Sequence, residues 1–208
     1  MTSKDTSPSS RAIFDRDLKD LRENVLQMAE LLRSAMAGSL TALREGNVEL
    51  GEEIIKGDLA INEMRYRIEN ACLHLTATQQ PAASDLRAIV AGMNLAGDME
   101  RMGDYAAGIA KVFLRMEEKS AGDLPRSLDE MAELVLSMLK RAIKAYQEAD
   151  DELAYEVASI DTQIDEHYRA LYSELVERIT HHPEKTTDCL YLMFIGHNLE
   201  LMRLAMIL

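Results

Sequence analysis

The sequence predicts an all-α protein made of two tandem antiparallel three-helix bundles, and three observations carry that prediction. Apolar residues recur at heptad spacing through long runs. Strand-forming signals are sparse, with no Trp, 3 Phe and 4 Pro set against 13 Met. The heptapeptide Asp98-Met99-Glu100-Arg101-Met102-Gly103-Asp104 returns in faded form at Asn198-Leu199-Glu200-Leu201-Met202-Arg203-Leu204, at the matching place in a second run of helices. A chain of 208 residues suits two units of about 100 residues each. They are placed at residues 12–119 and 125–208, after a polar tail at residues 1–11 that is expected to be disordered.

The elements follow in order from their seams. In the first helix, residues 12–45, Phe14, Leu21, Met28, Ala35 and Ala42 recur every seventh residue, interleaved with Leu18, Val25 and Leu32. Gly46 and Asn47 should break it. A second helix carries Ile54, Ile61, Ile68 and Leu75 with Met64 and Ala71, and should end before Pro81. Ser84 is a plausible N-cap for a third helix, with Asp85 in its first turn and a seam of Leu95, Met99, Met102, Ala106, Ile109, Phe113 and Met116. The segment from Ser120 to Pro125 reads as the break between units. Helix four then carries Leu128, Met131, Val135, Met138, Ala142 and Ala145, and helix five Leu153, Val157, Ile160, Ile164, Tyr168, Leu171, Leu175 and Ile179. His181-His182-Pro183 marks the turn into helix six. Short connections make neighbouring helices antiparallel.

Charge and motif content exclude several classes of function. A net charge of -13 and a pI near 4.8, with no basic stripe, argue against nucleic acid and suit cations or basic protein patches. The last stretch, residues 190–208, is the one candidate membrane span, but His197, Asn198, Glu200 and Arg203 lie within it. A charge at the bilayer centre costs roughly 2.5–3.5 kcal/mol, so the stretch reads as a buried bundle helix without direct membrane insertion. Cys72 and Cys189 lack zinc or redox spacing, and a reducing cytoplasmic location is the default. The five His form no ligand set, and neither a Gly-rich phosphate loop nor a nucleophile with a base is present, which points away from an enzyme.

The acids are more informative. Glu100 and Asp104 lie one turn apart and outside the seam, so both should be exposed on one face; Asp161 and Asp165 repeat the pattern on helix five. Helix two offers Asp58, Asn62, Arg65 and Glu69 on one stripe, with Arg65 interrupting the acids. If such stripes face each other across neighbouring helices they pool carboxylate oxygens for hard cations. The alternative is a solvated acidic face, since a like-charge pair at i, i+4 costs only about 0.2–0.5 kcal/mol.

Gln79-Gln80-Pro81-Ala82-Ala83-Ser84-Asp85-Leu86-Arg87, followed by the Asp98–Asp104 heptapeptide, resembles the paired turn and helix motifs of the PhoU family, and the resemblance extends over residues 12–208. It implies a non-enzymatic cytoplasmic regulator of phosphate uptake and of the phosphate-starvation response. Such a protein would bridge the ATPase subunit of a phosphate ABC transporter and a phosphate-sensing histidine kinase. It also implies surface metal ions or clusters of iron, zinc, manganese or magnesium. The matching ligands are Glu69, Glu100 and Asp104 in the first unit and Asp161, Asp165 and Glu200 in the second. Arg65 and Leu204 stand where two further donors would be. The long seams make a homodimer reasonable. A carboxylate-bridged metal-binding or storage bundle is the rival reading, although none of the five His follows a Glu by three as a di-iron enzyme requires.

Overall fold

The computed structural model describes residues 10–79, 81–117, 119, 124–159 and 161–207, with the side chains of residues 10, 79, 158, 159, 161 and 207 excluded. The expected tail up to residue 9, most of the Ser120–Pro125 break and the seam position Ile160 fall outside the described residues. Within them the chain is helical and no strand occurs. Helices α1 (Ser10–Glu45), α2 (Val48–Gln79) and α3 (Ala83–Phe113) form one antiparallel three-helix bundle. Helix α4 (Arg126–Glu148), the pair α5 (Asp151–Ser159) and α6 (Asp161–His181), and α7 (Thr186–Ile207) form the second. The fifth expected helix is thus supplied by α5 and α6 together. A short 3-10 turn at Pro183–Lys185 leads into α7, where the His-His-Pro turn was expected.

The helix ends follow from local chemistry. Gly46 takes φ 67, the left-handed conformation that glycine adopts freely. The next N–H, on Asn47, then donates to the Ala42 carbonyl at 2.9 Å. Asn47 in turn caps α2, its Oδ1 accepting the Leu50 N–H at 3.0 Å. The second bundle uses the same device with a poorer residue. Ala149 closes α4 at φ 50, ψ 46, and the Asp150 side chain accepts the Leu153 N–H at 3.0 Å to open α5. Two expectations need correction. Ser84 is not the cap of α3, because the helix already starts at Ala83 behind the extended Ala82, with no side-chain cap. Asp85 beside it accepts instead from Arg11 at 2.9 Å, tying the start of α3 to α1. Helix α3 also stops at Phe113 rather than running through Met116, which is nevertheless buried.

The seam residues are the core. Phe14, Leu21, Val25, Met28, Leu32 and Ala42 are buried on α1, and Ile61, Met64, Ile68 and Leu75 on α2. On the second bundle Leu128, Met131, Val135, Met138, Val157, Ile164, Leu171 and Leu175 are buried in the same way. Both sets belong to one continuous cluster, because α3 packs along α7 and α1 along α4 across the boundary between bundles. Gly108 lets α7 come close to α3; a Cβ there would meet Asn198 Oδ1 at 3.1 Å. At the end of α1, Arg44 donates to Asp129 at 2.7 Å and Glu133 at 2.6 Å in the opening turns of α4. This pairs a cation at a helix C-terminus with acids near an N-terminus, the favourable sense for both dipoles. No helix of the described residues is long and apolar enough to cross a membrane.

A left-handed alanine costs about 1 kcal/mol relative to glycine. Ala149→Gly should therefore raise the midpoint of thermal unfolding by roughly 2–4 °C for a protein of this size. An unchanged or lowered midpoint would show that the backbone at Ala149 carries no strain that glycine relieves.

Candidate functional site

The two bundles present corresponding acidic faces, and their burial patterns fix how they correspond. On α3 the buried residues Ile89, Gly92, Ala96, Met99, Met102 and Gly103 match Cys189, Leu192, Gly196, Leu199, Met202 and Arg203 on α7, one hundred positions on. On α2 the buried Ile61, Ile68 and Cys72 match Ile164, Leu171 and Leu175 on α6 with a different offset. Asp58 therefore corresponds to Asp161, Asn62 to Asp165, Arg65 to Tyr168 and Glu69 to Tyr172. The sequence alone allows two alignments, with Glu69 favoured as the α2 member of the acidic set over Asp58 and Asn62 set against Asp161 and Asp165; the buried positions align Asp58 with Asp161. Asp58 and Asn62 share the i, i+4 spacing of Asp161 and Asp165, and the buried Ile61 and Ile164 fix that correspondence.

In the first bundle the acids divide into two groups. Arg65 joins Glu69 and Glu100, donating to them at 2.8 and 2.9 Å, so the helix-two interruption is a bridge between α2 and α3. Glu100, expected to be exposed, is half-buried by this contact, its side chain keeping 17% of its accessible surface. Farther along, Asp58 faces Asp104. Its Oδ2 accepts from Asn62 Nδ2 at 3.2 Å, while its Oδ1 is buried without a hydrogen-bond partner. Burial pushes the Asp58 carboxyl above its ordinary range, and the neighbouring charges of Asp104 and Glu100 push the same way against the pull of Lys111 and Asn62. Gly103 makes this approach possible, since a Cβ there would lie 3.0 Å from Ile61 and 3.4 Å from Asp58 Oδ1.

The second bundle fills the same place differently. Arg203 stands at the position of Gly103, buried to 5% exposure. Its Nη2 lies 3.2 Å from Asp165 and 4.0 Å from Glu200. His197 Nδ1 adds a contact to Glu200 at 3.3 Å. Burial raises the Tyr168 phenol, and the Glu200 charge raises it further. Leu204, at the position of Asp104, is exposed and apolar. Arg203 was missed in the sequence because it sits in an apolar stripe and looks like a charge at a helix end. The side chain of Asp161 falls outside the described residues.

The fit of these residues to a metal can be tested on the donor set. The orphaned Asp58 oxygen opposite Asp104 suits one hard cation that keeps much of its water, as magnesium does with one or two carboxylates. A multinuclear cluster needs more donors, and among the described residues no three of His, Cys, Asp and Glu converge as a ligand group. Neither cysteine offers nucleophilic chemistry. Both are buried, and burial pushes the Cys72 thiol up to about 11 while its Sγ donates to the Ile89 carbonyl at 3.4 Å.

Comparison with known proteins gives one consistent result. Residues 25–113 and 128–202 each match the PhoU domain, one match per bundle. A Streptococcus pneumoniae protein described as a phosphate-specific transport system accessory protein PhoU homolog is 37% identical over 188 residues, 88% of this chain and 86% of its own. The Clostridium acetobutylicum protein of the same description is 32% identical over 192 residues, covering 92% and 88%. Among solved structures, the phosphate transport system regulatory protein PhoU of S. pneumoniae superposes with a TM-score of 0.86 at 32% identity, covering 93% of this chain and 91% of that one. PhoU of Pseudomonas aeruginosa gives 0.87 at 28% identity, covering 93% of each.

The raised Asp58 carboxyl has a definite consequence for stability. A carboxyl whose folded-state value lies above its unfolded value makes the fold lose stability as pH rises between the two, and the loss persists above them. Asp58→Asn should therefore stabilise the protein at neutral pH by roughly 0.5 kcal/mol, the scale of a relieved like-charge pair. The gain should vanish below the ordinary carboxylate range. Urea unfolding at pH 7 and at acidic pH measures both; a gain that persists in acid would mean that the charge of Asp58 is not its cause.

Proposed function

The chain belongs to the PhoU family, and on that premise we propose that it is a cytoplasmic, non-enzymatic accessory regulator of phosphate transport and of the phosphate-starvation response. It acts as an adaptor between the ATPase subunit of a phosphate ABC transporter and a phosphate-sensing histidine kinase, damping signalling when phosphate is plentiful. The observation that carries the reading is the pair of tandem PhoU matches, together with relatives named for phosphate transport along most of their length. The acidic surface, at a net charge of -13, supports docking onto basic protein patches rather than nucleic acid. An exposed heptad stripe on α2, Leu59, Tyr66 and Leu73, supports assembly with a second copy of the chain.

Two experiments test the adaptor role. Tagged protein should recover the transporter ATPase and the sensor kinase from the native host, and deletion should release phosphate-starvation genes in phosphate-replete medium. Recovery of neither partner with unchanged expression would overturn the reading.

We further propose that Asp58 and Asp104 of the first bundle hold a hydrated divalent cation, magnesium or manganese before iron or zinc, because all their donors are hard oxygens. The ion would neutralise two carboxylates that otherwise repel across α2 and α3. Stability should then rise with free ion by mass action, about 2.7 kcal/mol at one hundred times the dissociation constant. Asp104→Asn should abolish the rise. A melting temperature that stays flat across a manganese titration of the unaltered protein would refute the cation site and leave the adaptor role standing.

A further inference from the structure

The two bundles do not offer the same chemistry to a cation, and one buried difference lies at the corresponding positions 103 and 203. In the first bundle position 103 is glycine, and the room it leaves is taken by Ile61 and by the unpartnered Asp58 Oδ1. In the second bundle position 203 is arginine, buried between α6 and α7 with its guanidinium against Asp165 and Glu200. We propose that the Arg203 guanidinium is the permanent internal cation of the second bundle, taking the place between facing carboxylates that a metal ion would take. Any metal response of the protein then enters through the first bundle alone.

Three physical points support this. Arginine stays protonated under all conditions in which the protein is folded, so the positive charge at Arg203 cannot be switched off to admit an ion. Burying it is costly without paired carboxylates, so Asp165 and Glu200 are held by it rather than free to turn toward a metal. A divalent ion seated between those same two acids would lie against the guanidinium, where repulsion is screened poorly because the side chain keeps only 6% of its surface. The exposed Leu204 in place of Asp104 removes the donor that would compete with the arginine. The inference concerns the second bundle and stands whether or not the first binds an ion.

The test separates the two bundles. In full-length protein carrying Asp58→Asn and Asp104→Asn, which silences the first bundle, manganese should neither bind in a calorimetric titration nor shift the melting temperature. Adding Arg203→Ala to that background should create a manganese-dependent rise of roughly 2–4 °C, and Arg203→Lys, which keeps the charge, should not. Asp165→Asn in the otherwise unaltered protein provides a readout independent of whether Arg203→Ala folds, as judged by circular dichroism: the number of manganese ions bound should be unchanged. A lower ion count in Asp165→Asn, or manganese binding in the silenced background that Asp165→Asn removes, would overturn the proposal. So would a folded Arg203→Ala variant with no gain.

Discussion

The structure depends on the side-by-side packing of α3 and α7. Each is the third long helix of its bundle, and each buries one stripe inside that bundle and another against its counterpart. Gly108 lies between them, where a Cβ would meet Asn198 Oδ1 at 3.1 Å, while Gly92, Gly103 and Gly196 admit Leu21, Ile61 and Leu171 of their own bundles. Small residues let helix axes approach, and the gain is dispersion and apolar burial by the larger neighbours, about 1.5–3 kcal/mol for each fully buried Met or Leu. Met99, Met102, Leu199 and Met202, at corresponding positions of the two helices, are all buried. The bundles consequently share one core, and the Arg44 contacts to Asp129 and Glu133 fasten the same boundary at its edge.

That packing also dictates where charge can sit. With their inner faces committed, α3 and α7 turn their remaining stripe toward α2 and α6, and it is there that Glu100, Asp104 and Glu200 come to lie. Half-buried carboxylates in such a groove need counter-charge. The chain supplies it with arginine twice, through Arg65 to Glu69 and Glu100 and through Arg203 to Asp165 and Glu200. Asp58 and Asp104 are the place where a guanidinium is absent, and there the fold bears a raised carboxyl and a buried oxygen without a partner.

The helices were legible in the sequence because a seven-residue apolar period is a direct image of a buried stripe, and most of the described seam residues are in the core. The exceptions are informative. Leu18, Ala35, Ile54, Ala71, Leu95, Ala142, Leu153, Tyr168 and Ile179 are only half-buried, and on α1 Met36 and Leu40 are buried beyond the heptad positions. The acidic heptapeptide was equally readable. What could not be read was which helix-two residue faces it. Glu69 and Asp58 lie on one stripe of α2, three turns apart, and choosing between them requires the axial register of α2 against α3. That register is set by Ile61 packing at Gly103, a contact between residues far apart in sequence.

Two of the changes that distinguish the bundles, at 203 and 204, are adjacent. Arginine at 203 brings a buried positive charge that lies against Asp165 and Glu200. Leucine at 204 adds no further acid to that face. In the first bundle the order is reversed. Glycine at 103 admits Ile61 to close contact and leaves no room for a long side chain, so Asp58 Oδ1 is buried there without a hydrogen-bond partner, and the cationic charge pulling against its raised carboxyl is that of Lys111. One repeat sets a buried arginine against its acidic face, and the other leaves a buried carboxylate oxygen there without a hydrogen-bond partner. A duplicated fold can thus hold the same backbone twice while its two faces answer to different chemistry.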